Sequence, residues 1–130
     1  MGKSRDQIEQ IAKLVVDAML KVHRELGPGL LESTYQMCLA HEIRSRGIEV
    51  GCEVCLPVKY GAIEIDAGYR IDMLVAGCVL VESKSVQSLL PIHEAQILTY
   101  LKLADIRLGF LVNWNVVLIK NGIKRYVNRL

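Results

Sequence analysis

Tyr69-Arg70-Ile71-Asp72-Met73-Leu74-Val75 and Cys78-Val79-Leu80-Val81-Glu82-Ser83-Lys84 are two apolar runs with charges where a hydrophobic residue would pack better. Their length and β-branched content predict two strands. Side chains two apart on a strand share a face, so Glu82 and Lys84 lie together. Asp72 joins them only in one hairpin register. A two-residue loop at Ala76-Gly77 pairs Val75 with Cys78 and puts the two acids on opposite faces. A three-residue loop, Ala76-Gly77-Cys78, pairs Val75 with Val79, Leu74 with Leu80 and Met73 with Val81. Asp72 then opposes Glu82, and a central glycine suits such a loop. Opposed carboxylates repel unless a cation binds between them. Two acids and a lysine on one rigid sheet can hold a hard divalent cation beside a nucleophilic water.

The rest of the chain is read outward from this pair. Ile8, Ile11, Val15, Met19 and Val22 recur at the helical period, and Gly27-Pro28-Gly29 ends that helix. A second helix is predicted over residues 30–46, with Gly47 after it. Strands are predicted over residues 48–60 (interrupted near Pro57), 63–75 and 79–84. A third helix starts near Pro91, which suits a first-turn position, and runs to Leu103 or Ala104. Strands at 106–114, 116–120 and 123–127 follow, the last two joined by a turn at Asn121-Gly122. The expectation is a single α/β domain over residues 1–130, a mixed central sheet flanked by helices, in the order ααβββαβββ. The third helix suits a right-handed crossover between parallel strands.

With 130 residues, 52% of them apolar, the chain is long enough for one real core and is not disordered as a whole. A net charge of +2 permits a nucleic-acid partner without arguing for one. Any basic footprint must be local, with Arg44, Arg46, Lys120, Lys124, Arg125 and Arg129 as candidates; singly, each reads as a solvated polar residue. No apolar run reaches the roughly 18 residues a membrane span needs, and the polar start is no secretory signal. A cytoplasmic protein is expected. Cys52-Glu53-Val54-Cys55 spells CxxC, but it lies in a strand and has no second ligand pair. Free buried thiols in a reducing compartment are therefore expected at Cys38, Cys52, Cys55 and Cys78.

Polar residues also interrupt the helices. Ile92, Gln96, Tyr100 and Leu103 form one stripe of the third helix. A buried amide without a partner costs about 1–3 kcal/mol, so Gln96 needs a hydrogen-bond role. It can hold a metal-bound water or a phosphate oxygen, or lie at the stripe's edge and bond to solvent. In the second helix Glu32 and Tyr35 share a side. Glu32 equally reads as a first-turn acid stabilised by the helix dipole. His23, His41 and His93 show no ligand pattern.

Gly29-Leu30-Leu31-Glu32-Ser33-Thr34-Tyr35 resembles the GxxExxY pattern that names a small family. Tyr69-Arg70-Ile71-Asp72, Glu82-Ser83-Lys84, Gln96-Ile97-Leu98-Thr99-Tyr100 and Asn121-Gly122-Ile123-Lys124-Arg125 fit the same family in order. It is similar to a compact branch of the PD-(D/E)XK nucleases, so the resemblance implies a restriction-endonuclease-like fold. It also implies roles. Asp72 and Glu82 would ligate Mg2+ (or Mn2+), with the Ser83 carbonyl near the metal and Glu32 completing the site. Lys84 would orient or activate the attacking water. Gln96 and Tyr100 would correspond to the QxxxY helix of recombination-type exonucleases. The function implied is metal-dependent hydrolysis of phosphodiesters in nucleic acid, with DNA the expected partner. A non-catalytic nucleic-acid-binding or assembly module that keeps the fold is the alternative. So small a domain has little surface for gripping a duplex, which favours a partner or a homo-oligomer.

Overall fold

The computed structural model describes residues 2–130. Helix α1 (Arg5–Leu26) opens with a capping box, in which Ser4 accepts from the Gln7 amide and the Gln7 side chain accepts from the Ser4 amide. Its core face carries Ile8, Ala12, Val15, Met19 and Val22. Helix α2 (Glu32–Ser45) follows after the Gly27–Leu31 connection. Five strands come next: β1 (Val50–Cys55), β2 (Val58–Tyr60), β3 (Ile63–Ile65), β4 (Arg70–Val75) and β5 (Val79–Lys84). Helix α3 (Pro91–Ala104) leads to β6 (Leu108–Asn113), a 3-10 turn (Ile119–Asn121) and β7 (Ile123–Val127).

The main sheet has the order β1-β4-β5-β6-β7. Only β5 and β6 are parallel, joined by α3 as the crossover; the other neighbours are antiparallel. One face packs against α1 and α2 through Met73, Val81, Phe110 and Trp114. The other packs against α3 through Ile71, Leu80, Leu111, Ile97 and Leu101. All six residues of β6 are buried, as expected for a central strand covered on both sides. Gly109 lets α3 approach closely: a methyl group there would lie 3.0 Å from Leu101 Cδ2 and 3.2 Å from the Leu80 carbonyl oxygen.

The α/β class, the mixed sheet and its flanking helices are as the sequence predicts, while the strand series differs in detail. The regions 48–60 and 63–75 each break in two. Pro57 lacks the amide a ladder needs, and Asp66 accepts from the Gly68 amide at 3.1 Å to form a local turn. The small β2–β3 hairpin thus forms its own two-stranded sheet. Residues 116–120 are not a strand. β7 pairs with β6 directly, Ile123 opposite Val112, and residues 116–120 lie in the connection between the two strands. Val117 and Leu118 are exposed, and only Ile119 is buried. Asn121-Gly122 therefore closes a loop rather than a hairpin between two strands: the Gly122 carbonyl accepts from the Asn113 amide at 2.8 Å. All four cysteines are free, but of the four expected to be buried only Cys78 is; Cys38 is half-buried, and Cys52 and Cys55 lie exposed on the edge strand β1.

Candidate active site

The β4–β5 hairpin adopts the three-residue register, pairing Val75 with Val79, Leu74 with Leu80 and Met73 with Val81. Ala76 and Gly77 both have positive φ, 51° and 66°. The backbone ladder stops at Met73–Val81, and the carboxylates take over. Glu82 Oε1 accepts from the Asp72 amide at 3.2 Å, and Asp72 Oδ2 accepts from the Ser83 amide at 3.0 Å. Each acid thus satisfies a backbone donor of the other strand's segment. The pairing places both carboxyls in the split between the strands.

A second irregularity sits at the same point. Met73 packs with α1 and α2, yet Ile71, two residues earlier, packs with α3. On a regular strand both would share a face. The strand therefore turns over at Asp72. The β1–β4 pairing brackets the same place, with Cys52 opposite Met73 and Val54 opposite Ile71, so Glu53 stands across from Asp72. Glu53 has φ 51°, the left-handed region, where a non-glycine residue is uncommon.

Burial sets the electrostatics. Glu82 is only 4% exposed. Desolvation, reinforced by the Asp72 charge, pushes its carboxyl up to about 9. Desolvation also raises Asp72, with Glu53 adding to it, while the Ser83 amide and Lys84 pull the other way. Two acids this close cannot both ionise cheaply, so the pair retains a proton. A divalent cation can take the place of that proton, and carboxylate oxygens are the donors a hard cation prefers. The donor set fits such an ion. Among the described residues no three His, Cys, Asp or Glu side chains gather as a ready-made cage.

Helix α2 presents Glu32 and Gln36, one turn apart. Glu32 Oε1 accepts from the Ser85 amide at 3.2 Å, just past Lys84. Ser85 Oγ donates to the Leu30 carbonyl at 2.8 Å. Gln36 Nε2 donates to the Asp72 carbonyl at 3.0 Å and to Glu53 Oε1 at 3.1 Å. Glu32 therefore reaches the end of β5 rather than bonding to Asp72 or Glu82. Gln36 and Glu53 are the members of this surround that sequence reading missed. Gln36 was within reach as the residue four after Glu32, but nothing in the sequence marks the turnover that brings Glu53 to Asp72.

The motif tyrosine has a structural task. Tyr35 is fully buried; its hydroxyl donates to the Gly27 carbonyl at 2.5 Å and accepts from the Leu30 amide at 3.1 Å. Its ring stacks on Trp114, centroids 4.9 Å apart and planes within 2°. Trp114 Nε1 donates to Ser83 Oγ at 3.1 Å, and the Trp114 amide donates to the Lys84 carbonyl at 2.9 Å. Asn113 holds the next residues, exchanging bonds with both backbone groups of Val86. The strand end that carries Lys84 is thus gripped from both sides.

On α3, the buried row is Ile97, Tyr100 and Leu101. Ile92 is not core-facing as the stripe predicts; it is 66% exposed. Gln96 Nε2 donates to the Tyr100 hydroxyl at 3.2 Å. Burial raises the Tyr100 hydroxyl's pKa, as do the nearby charges of Glu82 and Asp72. His93 serves the helix start, accepting from the Leu90 amide at 3.0 Å. Several of the candidate basic residues are engaged elsewhere. Arg46 pairs with Asp17 and Glu42, Arg125 with Glu9, and Lys124 with Glu94. No described helix is long and apolar enough to cross a membrane.

A mixed sheet with one parallel crossover, flanked by helices and split at an Asp–Glu pair beside a lysine, defines a restriction-endonuclease-like domain. A family model of the PD-(D/E)XK nuclease superfamily matches residues 9–126, and the chain belongs to that superfamily. Nucleases of this superfamily generally use divalent metal ions. No curated protein and no solved structure gives a significant match.

Proposed function

We propose that this chain, a member of the GxxExxY branch, hydrolyses phosphodiester bonds of DNA with Mg2+ or Mn2+ as cofactor. The observation that carries the reading is the Asp72–Glu82 pair in the split between β4 and β5, with Lys84 following on the same strand. Asp72, Glu82 and the Ser83 carbonyl hold the cation, and Glu32 closes the site from the helix side. When bound, the ion polarises a phosphate oxygen and lowers the pKa of an attacking water. Lys84 positions that water and stabilises charge developing on the phosphate. Gln96 and Tyr100, already bonded to each other, orient the substrate from α3. The bonds from Trp114 and Asn113 fix the backbone on which these groups depend. Four free thiols support a reducing, cytoplasmic setting. The small surface supports a homo-oligomer on substrate.

The test is cleavage of labelled single-stranded, duplex and branched DNA and of RNA, with Mg2+ or Mn2+ and in EDTA. Lys84→Ala should lose cleavage by orders of magnitude while retaining its fold and most of its nucleic-acid affinity. Lysine acts on charge that develops in the transition state, whereas phosphate contacts supply the binding. No cleavage by the wild type on any of these, with metal binding verified, would favour a binding or assembly module. Undiminished cleavage by Lys84→Ala would place the activity elsewhere.

A further inference from the structure

A cleft beside Lys84 shares Gln96 and Tyr100 with the proposed site, and its remaining walls have no task in the chemistry of the acid pair. It opens between α3 and the segment bearing Val58 and Tyr69, with a volume of about 680 Å3. Its walls include Tyr69, Ile92, Gln96, Tyr100 and Leu103. Tyr69 and Tyr100 meet edge to face, centroids 6.3 Å apart and planes at 69°. Tyr100 is buried, whereas Tyr69 is 46% exposed. A buried ring therefore braces an aromatic ring that stands in solvent. Gln96 gives one N–H to Tyr100 and has a second N–H and a carbonyl to offer.

The cleft carries a single formal charge, that of Lys84. Lys84 and His93 line it, and none of the described residues that line it is acidic. The groove along α1 is different, mixing Asp6, Glu9 and Asp17 with Lys13 and Arg125. An aromatic and apolar wall, one amide and a neighbouring lysine match a flat, polar-edged group tethered to phosphate. A base inside a duplex is stacked on its neighbours and cannot offer its face. A base on a single strand can, and stacking on a protein aromatic ring tolerates any base.

We propose that this cleft seats one unstacked nucleobase of a single strand, next to the phosphodiester held at Asp72, Glu82 and Lys84. The placement rests on the hydrolytic reading above. It makes the preferred substrate a single strand or a frayed end rather than an intact duplex.

The experiment compares binding and cleavage on the full chain. Fluorescence anisotropy in EDTA measures a labelled oligothymidylate of about twelve nucleotides, the same backbone with abasic residues, and a duplex of equal length. Wild type should bind the thymidylate about tenfold more tightly than the abasic strand, within what stacking one base on an aromatic ring supplies. Tyr69→Ala and Ile92→Asn should bring the thymidylate down to the abasic value and leave the abasic value unchanged. Tyr69→Phe should restore the difference. Both positions are exposed, so melting temperatures should hold. Equal binding of thymidylate and abasic strand by wild type, or tighter binding of duplex, overturns the proposal, as does failure to bind any of the three. Cleavage with Mg2+ or Mn2+ separates it from the reading it rests on. Cleavage of abasic and normal strands at equal rates removes the base pocket and leaves the hydrolase. Base-dependent binding without cleavage supports the pocket and removes the hydrolase.

Discussion

Replacing the Glu82 carboxyl by an amide (Glu82→Gln) should make the metal-free protein more stable at neutral pH and erase most of its pH dependence. The Glu82 carboxyl is pushed from 4.5 up to about 9, first by burial and then by the Asp72 charge. Between those values the folded state binds a proton that the unfolded state has released. Stability then falls as pH rises, at about 1.4 kcal/mol per pH unit, and the contribution is complete only below the unfolded value. From about pH 5.5 to 7.5 the loss is roughly 3 kcal/mol. For a domain of this size that lowers the melting temperature by about 10 °C. Asp72, also raised, acts in the same direction. Glu9, Glu42, Asp66 and Glu94 are lowered, so these four acids titrate below this window, and comparison with Glu82→Gln cancels every group the two proteins share. The amide introduced by the substitution would keep an oxygen for the Asp72 backbone N–H but carries no titrating proton. The assay is thermal melting by circular dichroism in EDTA at several pH values, for wild type and Glu82→Gln. Adding Mg2+ should recover wild-type stability at the upper end, where the pair can ionise around the ion, and leave the variant unmoved. Parallel melting curves for the two proteins across that pH range would falsify the buried-pair argument.

Three further outcomes follow from the same geometry. Asp72→Asn should abolish the Mg2+-induced rise in melting temperature; an undiminished rise would mean that the ion binds elsewhere. Glu32→Gln, which keeps an acceptor for the Ser85 amide, should melt like wild type in EDTA and gain less from Mg2+. An unchanged Mg2+ response would reduce Glu32 to its backbone bond. Tyr35→Phe keeps the ring on Trp114 but strands the Gly27 carbonyl and Leu30 amide, so urea unfolding should show a loss of about 1–3 kcal/mol. A loss within error would show that the Gly27–Leu30 connection does not depend on that hydroxyl.

By itself the sequence determined the α/β class and the three helices, and it favoured the three-residue hairpin register over the two-residue alternative. Those features rest on local physics: the helical period of Ile8 to Val22, Pro91 at a helix start, and the sorting of apolar pairs across Ala76-Gly77-Cys78. The Asp72–Glu82 approach was legible from that register, although the ladder ends at Met73–Val81 and the carboxylates close the gap through backbone amides. Tertiary structure alone decided what surrounds the pair. Residues 116–120 have strand composition, but β7 pairs with β6 directly and they fall in the connection, which tightens into a 3-10 turn at Ile119–Asn121. Ile92 has helical core spacing, but it rims a cleft because the buried row of α3 runs through Ile97, Tyr100 and Leu101. Glu53 and Gln36 meet at Asp72 only because β4 turns over there and α2 crosses the sheet at that point. Glu32 carries a motif position, yet its hydrogen-bond partner is the Ser85 amide at the end of β5. Periodicity encodes which face of an element is apolar; the approach of α2 and α3 to the sheet, set by packing between distant segments, determines which polar groups converge.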